Sequence, residues 1–133
     1  MKRLFGILLA LLLCFPLLAS CSEQQLTSLT LELEACASFT VKSEETGVGY
    51  SFTRAGAPGE FETVLYNFSG ATFTLGVKER GVPVKYTVRF LDAAGNELYS
   101  LKVLSESVVV WKGYEYASTD KIGLSYLNSL FDR

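Results

Sequence analysis

Three groups of side chains in this chain are of a type and spacing that could do chemistry. Carboxylates come in pairs: Glu32 with Glu34, Glu60 with Glu62, and Asp92 with Glu97. Such pairs work as general acid and base when burial splits their pKa values, and clustered carboxylate oxygens can hold calcium. Cys36 supplies a thiol, and Trp111, Tyr114 and Tyr116 gather three aromatic rings around a turn. Exposed, those rings could stack on a glycan or anchor a partner protein; buried, they are sheet core. Histidine is absent from all 133 residues. Its absence removes Ser-His-Asp and Cys-His machinery, the HExxH zinc motif and the usual general base near neutral pH.

Local pattern gives each carboxylate pair a structural role. Glu32 and Glu34 fall on the polar side of an alternating segment, and Glu60 and Glu62 sit where acids complement the start of a helix. Asp92-Ala93-Ala94-Gly95-Asn96 reads as a hairpin turn with too few ligands for a calcium loop. Cys36 lacks the second Cys or His that a structural zinc site needs. The pairs Gly47-x-Gly49 and Gly56-x-x-Gly59 punctuate loops and do not make a phosphate cradle. No catalytic residue, cofactor or metal site is therefore expected. Trp111 shares its side of a strand with Val109, which favours core for it and leaves Tyr114 and Tyr116 as the more open part of a candidate binding surface.

The elements that carry these residues alternate with period two over most of the chain. Leu29, Leu31 and Leu33 alternate with polar residues, as do Phe39 with Val41, and Val48 with Tyr50 and Phe52. Glu44-Glu45-Thr46-Gly47 links the second and third strands as a hairpin turn. After the break at Ala55 to Gly59 the period changes: Phe61, Val64, Leu65 and Phe68 form one helical stripe over residues 60–68, with Pro58 before it and Ser69-Gly70 after it. Four alternating strands follow around Phe73 to Val77, Val84 to Phe90, Tyr99 to Val103 and Val109 to Trp111. Glu79-Arg80-Gly81, Asp92 to Asn96 and Lys112-Gly113 join them as tight turns, so the second half reads as a meander of sequential neighbours. Leu124, Leu127, Leu130 and Phe131 mark a terminal helix over about 121–131, with Ser118 to Asp120 as candidate caps. The expected class is α+β, a twisted antiparallel sheet with two short helices on one face; the alternative is an all-β sandwich, if residues 60–68 are a strand.

The N-terminus carries a different kind of information. Met1-Lys2-Arg3 is a short basic region, Leu4 to Leu18 is apolar apart from Gly6 and Pro16, and Leu18-Ala19-Ser20-Cys21 closes it. This stretch resembles bacterial lipoprotein signal peptides, whose lipobox has an aliphatic residue, two small residues and a cysteine. The resemblance implies that residues 1–20 are removed and that Cys21 is joined to a diacylglycerol as the first mature residue. A signal cut without lipidation and an uncleaved anchor are the alternatives; the apolar run, about 15 residues, is short against the roughly 20 that span a bilayer. Residues 21–25 would then form the lipidated cysteine and a short tether, and residues 26–133 a single globular domain close to the membrane surface. With the signal gone, ten basic residues face fourteen acids, a formal balance of −4, and the bases are scattered rather than clustered. Nucleic-acid binding is not expected. Cys36 is left without an internal disulfide partner, either a small buried filler or a reactive thiol.

Phe90-Leu91-Asp92, the Gly95 turn, Gly113-Tyr114-Glu115-Tyr116 and the Leu-rich terminal helix are similar to small uncharacterised domains of exported Firmicutes proteins, a likeness that carries no site. The functional expectation is a non-catalytic binding or assembly module of the cell envelope, held to the cell membrane or outer membrane by lipid on Cys21, with an envelope protein as partner. An inhibitor or sensor of secreted enzymes, or a solute-binding accessory, is the alternative.

Overall fold

A computed structural model describes residues 27–132, so the proposed signal peptide, Cys21 and the whole tether over residues 21–25 lie outside the described residues. Among the described residues, eight strands and two helices follow in the order β1 (Ser28–Thr30), β2 (Cys36–Ser43), β3 (Gly49–Thr53), α1 (Pro58–Ser69), β4 (Thr72–Lys78), β5 (Tyr86–Asp92), β6 (Glu97–Val103), β7 (Val108–Trp111), β8 (Tyr114–Ser118) and α2 (Leu124–Phe131). All strands belong to one open antiparallel sheet with the spatial order β1-β4-β8-β7-β6-β5-β2-β3. The fold is α+β, and the helix over residues 60–68 excludes the all-β sandwich.

Chain length dictates that this sheet is curled. β1 and β2 stand six strand spacings apart, which on a flat sheet at roughly 4.8 Å each is about 29 Å. Only six residue steps join Thr30 to Cys36, and extended chain covers at most about 21 Å in that length. The two ends of the row therefore bend toward each other, and the connection runs across the concave side with Leu31 and Leu33 buried and the Glu32 N–H donating to the Tyr99 hydroxyl at 3.1 Å. The alternation of leucines thus continues past the point where ladder pairing stops, so the first strand is shorter than its pattern predicts.

Helix α1 forms as expected and for the expected reason. Pro58 occupies its first turn, where its fixed φ is already helical and no N–H is missed, and Phe61, Val64, Leu65 and Phe68 make one buried stripe. That stripe lies on the concave face, with the Phe61 ring 6.0 Å from Phe39 and Phe68 edge-on to Phe90 at 5.4 Å. Each such side chain contributes about 1.5–3 kcal/mol by leaving water. Helix α2 seals the same face with Leu124, Leu127 and Leu130. It begins at Leu124, with Gly123 rather than Ser118 to Asp120 at its start; Ser118 ends β8 instead. Gly123 has φ of +77°, a left-handed conformation that favours glycine, and a Cβ there would also push against the Asn67 side-chain amide, which would have to turn aside.

The expected meander needs one correction. β5 to β8 are sequential neighbours, but β4 pairs with β8 and not with β5. Four antiparallel steps separate β4 from β5, so the two run parallel, and parallel strands cannot be joined by a tight turn. Residues 79–85 therefore cross the sheet. They do so on the convex face: Lys102, Val110 and Glu115 share that face by register, and the crossing segment bonds to two of them. Glu79-Arg80-Gly81 starts a strap and is not a hairpin turn. The strap explains why Val110 and Glu115 are buried on a face that carries no helix.

Candidate functional site

The three aromatic residues singled out in the sequence come together, but on the inner side of the sheet. Trp111 pairs with Tyr114 and Val109 with Tyr116, so all of these side chains share the concave face. Tyr116 is only 1% exposed and belongs to the core, which removes it from the expected binding surface. Trp111 and Tyr114 are half-buried and pack against that core. Trp111 is held edge-on to Tyr116 and tilted to Tyr99, each at 6.2 Å, with the Lys112 ammonium 4.5 Å from its ring centroid. The β7–β8 turn is made by Lys112 and Gly113 at φ of 50° and 82°, the mirror-image turn whose twist matches a tight hairpin. Burial pushes the Tyr116 hydroxyl above the usual phenol value.

Three of the six carboxylates proposed as pairs, Asp92, Glu97 and Glu62, make contacts within the fold. Asp92 caps its own turn, with Oδ1 accepting from the N–H groups of Ala94 and Asn96 at 3.0 and 2.8 Å. Glu97 accepts from Arg89 Nε at 2.7 Å, and Glu62 lies 3.8 Å from Arg54 Nε. Glu32 and Glu34 are exposed beside a shallow groove that includes Ala35, Leu98 and Tyr99. Among the described residues, no group of three or more His, Cys, Asp or Glu is placed to hold a metal ion. Cys36 is 3% exposed and its thiol donates to the Ser38 carbonyl at 3.2 Å; burial pushes its pKa up, so the thiol is a filler rather than a nucleophile.

Two features escaped the sequence reading. The first is the contact of Arg80 with Glu115, residues 35 apart. Glu115 is 4% exposed and receives Arg80 Nε at 3.1 Å, Nη2 at 2.8 Å and the Arg80 N–H at 3.2 Å. The Arg80 hydrogen bonds hold its carboxyl below the ordinary carboxylate range, against the opposing effect of burial, and the Arg80 pKa rises in turn. This pair fastens the strap to the convex face. Only the tertiary topology places the two side by side.

The second is an aromatic row at the opposite end of the sheet. Phe52 stacks on Phe39 at 5.0 Å, Tyr50 lies 5.1 Å from Phe131, and Phe131 stacks on Tyr86 at 5.3 Å. The row begins in the core and ends in solvent: Tyr50 is 41% exposed and its neighbour Val48 45%. Two adjoining open clefts, of about 510 and 530 Å³, flank it and share Ser43, Glu45, Tyr86 and Asn128. The Tyr86 hydroxyl donates to Asn128 Oδ1, and its pKa is raised by burial and by the charges of Asp132 and Glu45. The strand that carries this row is the last in the sheet. Strand β3, read as having one apolar face like its neighbours, instead leaves much of that face open because no strand among the described residues follows it in the row.

The class defined here is a small α+β protein built on one curled, open, eight-stranded antiparallel sheet. Comparison with family models, with curated proteins and with solved structures finds no match for the chain. No helix among the described residues is long and apolar enough to cross a membrane.

Proposed function

We propose that this protein is a non-catalytic binding or assembly module of the cell envelope, anchored by lipid on Cys21 and holding a protein partner along the free edge of β3. The location rests on the resemblance of Leu18-Ala19-Ser20-Cys21 to a lipobox; in the lipoproteins it resembles, an Asp after the cysteine favours inner-membrane retention, and Ser22 stands there instead, so the resemblance implies the outer membrane in a two-membrane cell and the outer face of the cell membrane in a one-membrane cell. One observation carries the docking site. Val48 and Tyr50 are exposed at an edge strand that contains no charge, no proline and no bulge, and these are the devices by which edges are usually blunted. A bare edge with apolar side chains beside it is the surface onto which another strand adds.

Solute capture is the second reading, favoured by the clefts beside Tyr86 and Asn128, whose volumes fall in the range of small-molecule sites. Affinity capture from detergent-solubilised envelope distinguishes the two. Wild-type chain is expected to retain a stoichiometric protein that the double variant Val48→Asp/Tyr50→Asp loses. Equal recovery by both forms contradicts docking at β3. For the anchor, Cys21→Ser is expected to release the protein from the membrane fraction and to abolish incorporation of labelled palmitate; continued labelling removes Cys21 as the lipid site.

A further inference from the structure

The register of β3 identifies an occupant for its edge, an inference that rests on the reading of β3 as a docking edge. Ser43 N–H donates to the Val48 carbonyl at 2.8 Å and Arg54 N–H to the Ala37 carbonyl at 3.3 Å. Hydrogen-bonded pairs alternate with non-bonded pairs along an antiparallel ladder, so Val48, Tyr50, Phe52 and Arg54 turn their main-chain groups inward to β2. Gly49, Ser51 and Thr53 turn theirs outward. Three outward residues at two-residue spacing have a centre, Ser51, about which the edge is self-complementary. We propose that β3 pairs antiparallel with β3 of a second copy of this chain, about a two-fold axis at Ser51, which joins the two sheets into one.

The side chains agree with that register. Ser51 meets the partner's Ser51, and Thr53 meets the partner's Gly49, so the face bearing these residues is small and polar on both sides of the seam. Two hydrogen bonds run from Ser51 N–H to the opposite Ser51 carbonyl and two from Thr53 N–H to the opposite Gly49 carbonyl. The Thr53 carbonyl is already used by Ala57 N–H at 3.0 Å. On the concave face Tyr50 falls opposite the partner's Phe52, an aromatic pair at the closer, non-bonded spacing, and covers the ring now left 41% exposed. Charge selects the antiparallel direction. Glu45 lies before β3 and Arg54 after it, so antiparallel pairing brings the acidic tip of one copy toward Arg54 of the other, which is 3.8 Å from Glu62 of its own chain, whereas parallel pairing would set like beside like. Anchoring both copies by lipid in one membrane plane raises their effective concentration and favours such a pairing.

The test uses full-length chain in membranes. Ser51→Cys places two thiols at a hydrogen-bonded pair, where Cα atoms are about 5.5 Å apart, within reach of a disulfide. Mild oxidation is expected to shift most of the chain to twice the monomer mass on a non-reducing gel, while Ser125→Cys, on the exposed side of α2, stays monomeric. In detergent, Ser51→Lys and Ser51→Glu are each expected to lose the dimer seen for wild type by light scattering, and their mixture to regain it. Ser51→Cys linked only to a different protein overturns the second-copy proposal and leaves the docking edge standing. Ser51→Cys linked to nothing, with wild type monomeric, overturns both.

Discussion

Two aromatic clusters of similar composition meet opposite fates in this molecule. Trp111, Tyr114 and Tyr116 belong to β7 and β8, the fourth and third strands of the row, where Tyr116 is fully buried and Trp111 and Tyr114 pack half-buried against it. Tyr50, Phe52, Phe131 and Tyr86 run from β5 to β3, the last strand, and the cluster opens to water where the row ends. Residue type does not separate the two, and neither does period-two alternation, which both show. Position in the sheet does. A pleated strand buries an apolar face only where a neighbour or a covering helix reaches it; α2 reaches β3 through Phe131 against Tyr50, but with no further strand beside β3 among the described residues Tyr50 stays 41% exposed.

Truncation separates the two clusters most strongly. Tyr116→Ala is expected to cost about 3–5 kcal/mol, as for other large buried aromatic residues, while Tyr50→Ala costs under about 1 kcal/mol. Urea unfolding followed by circular dichroism reads both; equal losses would show that the two clusters are equally core. Next in size is the strap. Glu115→Gln leaves the buried site without its ionic partner for Arg80 and is expected to lower the unfolding midpoint at pH 7. The Glu115 pKa is depressed in the folded state, so its contribution is complete above the ordinary carboxylate range and is lost as pH falls through the folded value. Wild type and variant should therefore converge in stability in acid, and a gap that persists there would contradict the assignment.

Smaller effects sharpen the same contrast. Acrylamide should quench the single indole, Trp111, less than free tryptophan, because one side of its ring lies on Tyr116 and Tyr99 and the Lys112 side chain lies over it. Cys36 should react with a thiol reagent only at the rate of unfolding; immediate quantitative labelling of native protein would contradict its burial.

The parts of this fold that were legible in the sequence are those set by local pattern. Pro58 with the stripe Phe61, Val64, Leu65 and Phe68 specifies α1, and Asp92 to Asn96 specifies the β5–β6 turn, because each depends on residues within a few positions. The β4 to β5 connection was misread because Glu79-Arg80-Gly81 has turn composition, and composition does not say whether the next strand is a neighbour or stands four strands away. The bond between Arg80 and Glu115 is hidden from the sequence for the same reason, since only the strap brings them together. Trp111, Tyr114 and Tyr116 stand out in the sequence by residue type and nearness to a turn. Both criteria are blind to how many strands lie on each side, and for that reason the exposed row at Tyr50 and Val48 went unnoticed.

The central claim is that the working surface is the β3 edge and not the β7–β8 hairpin. A photo-crosslinking amino acid placed singly at residue 50 or at residue 114 of the full chain, irradiated in intact cells, tests it most directly. The account predicts a discrete crosslinked product from residue 50 and none from residue 114. A product from residue 114 alone would contradict it.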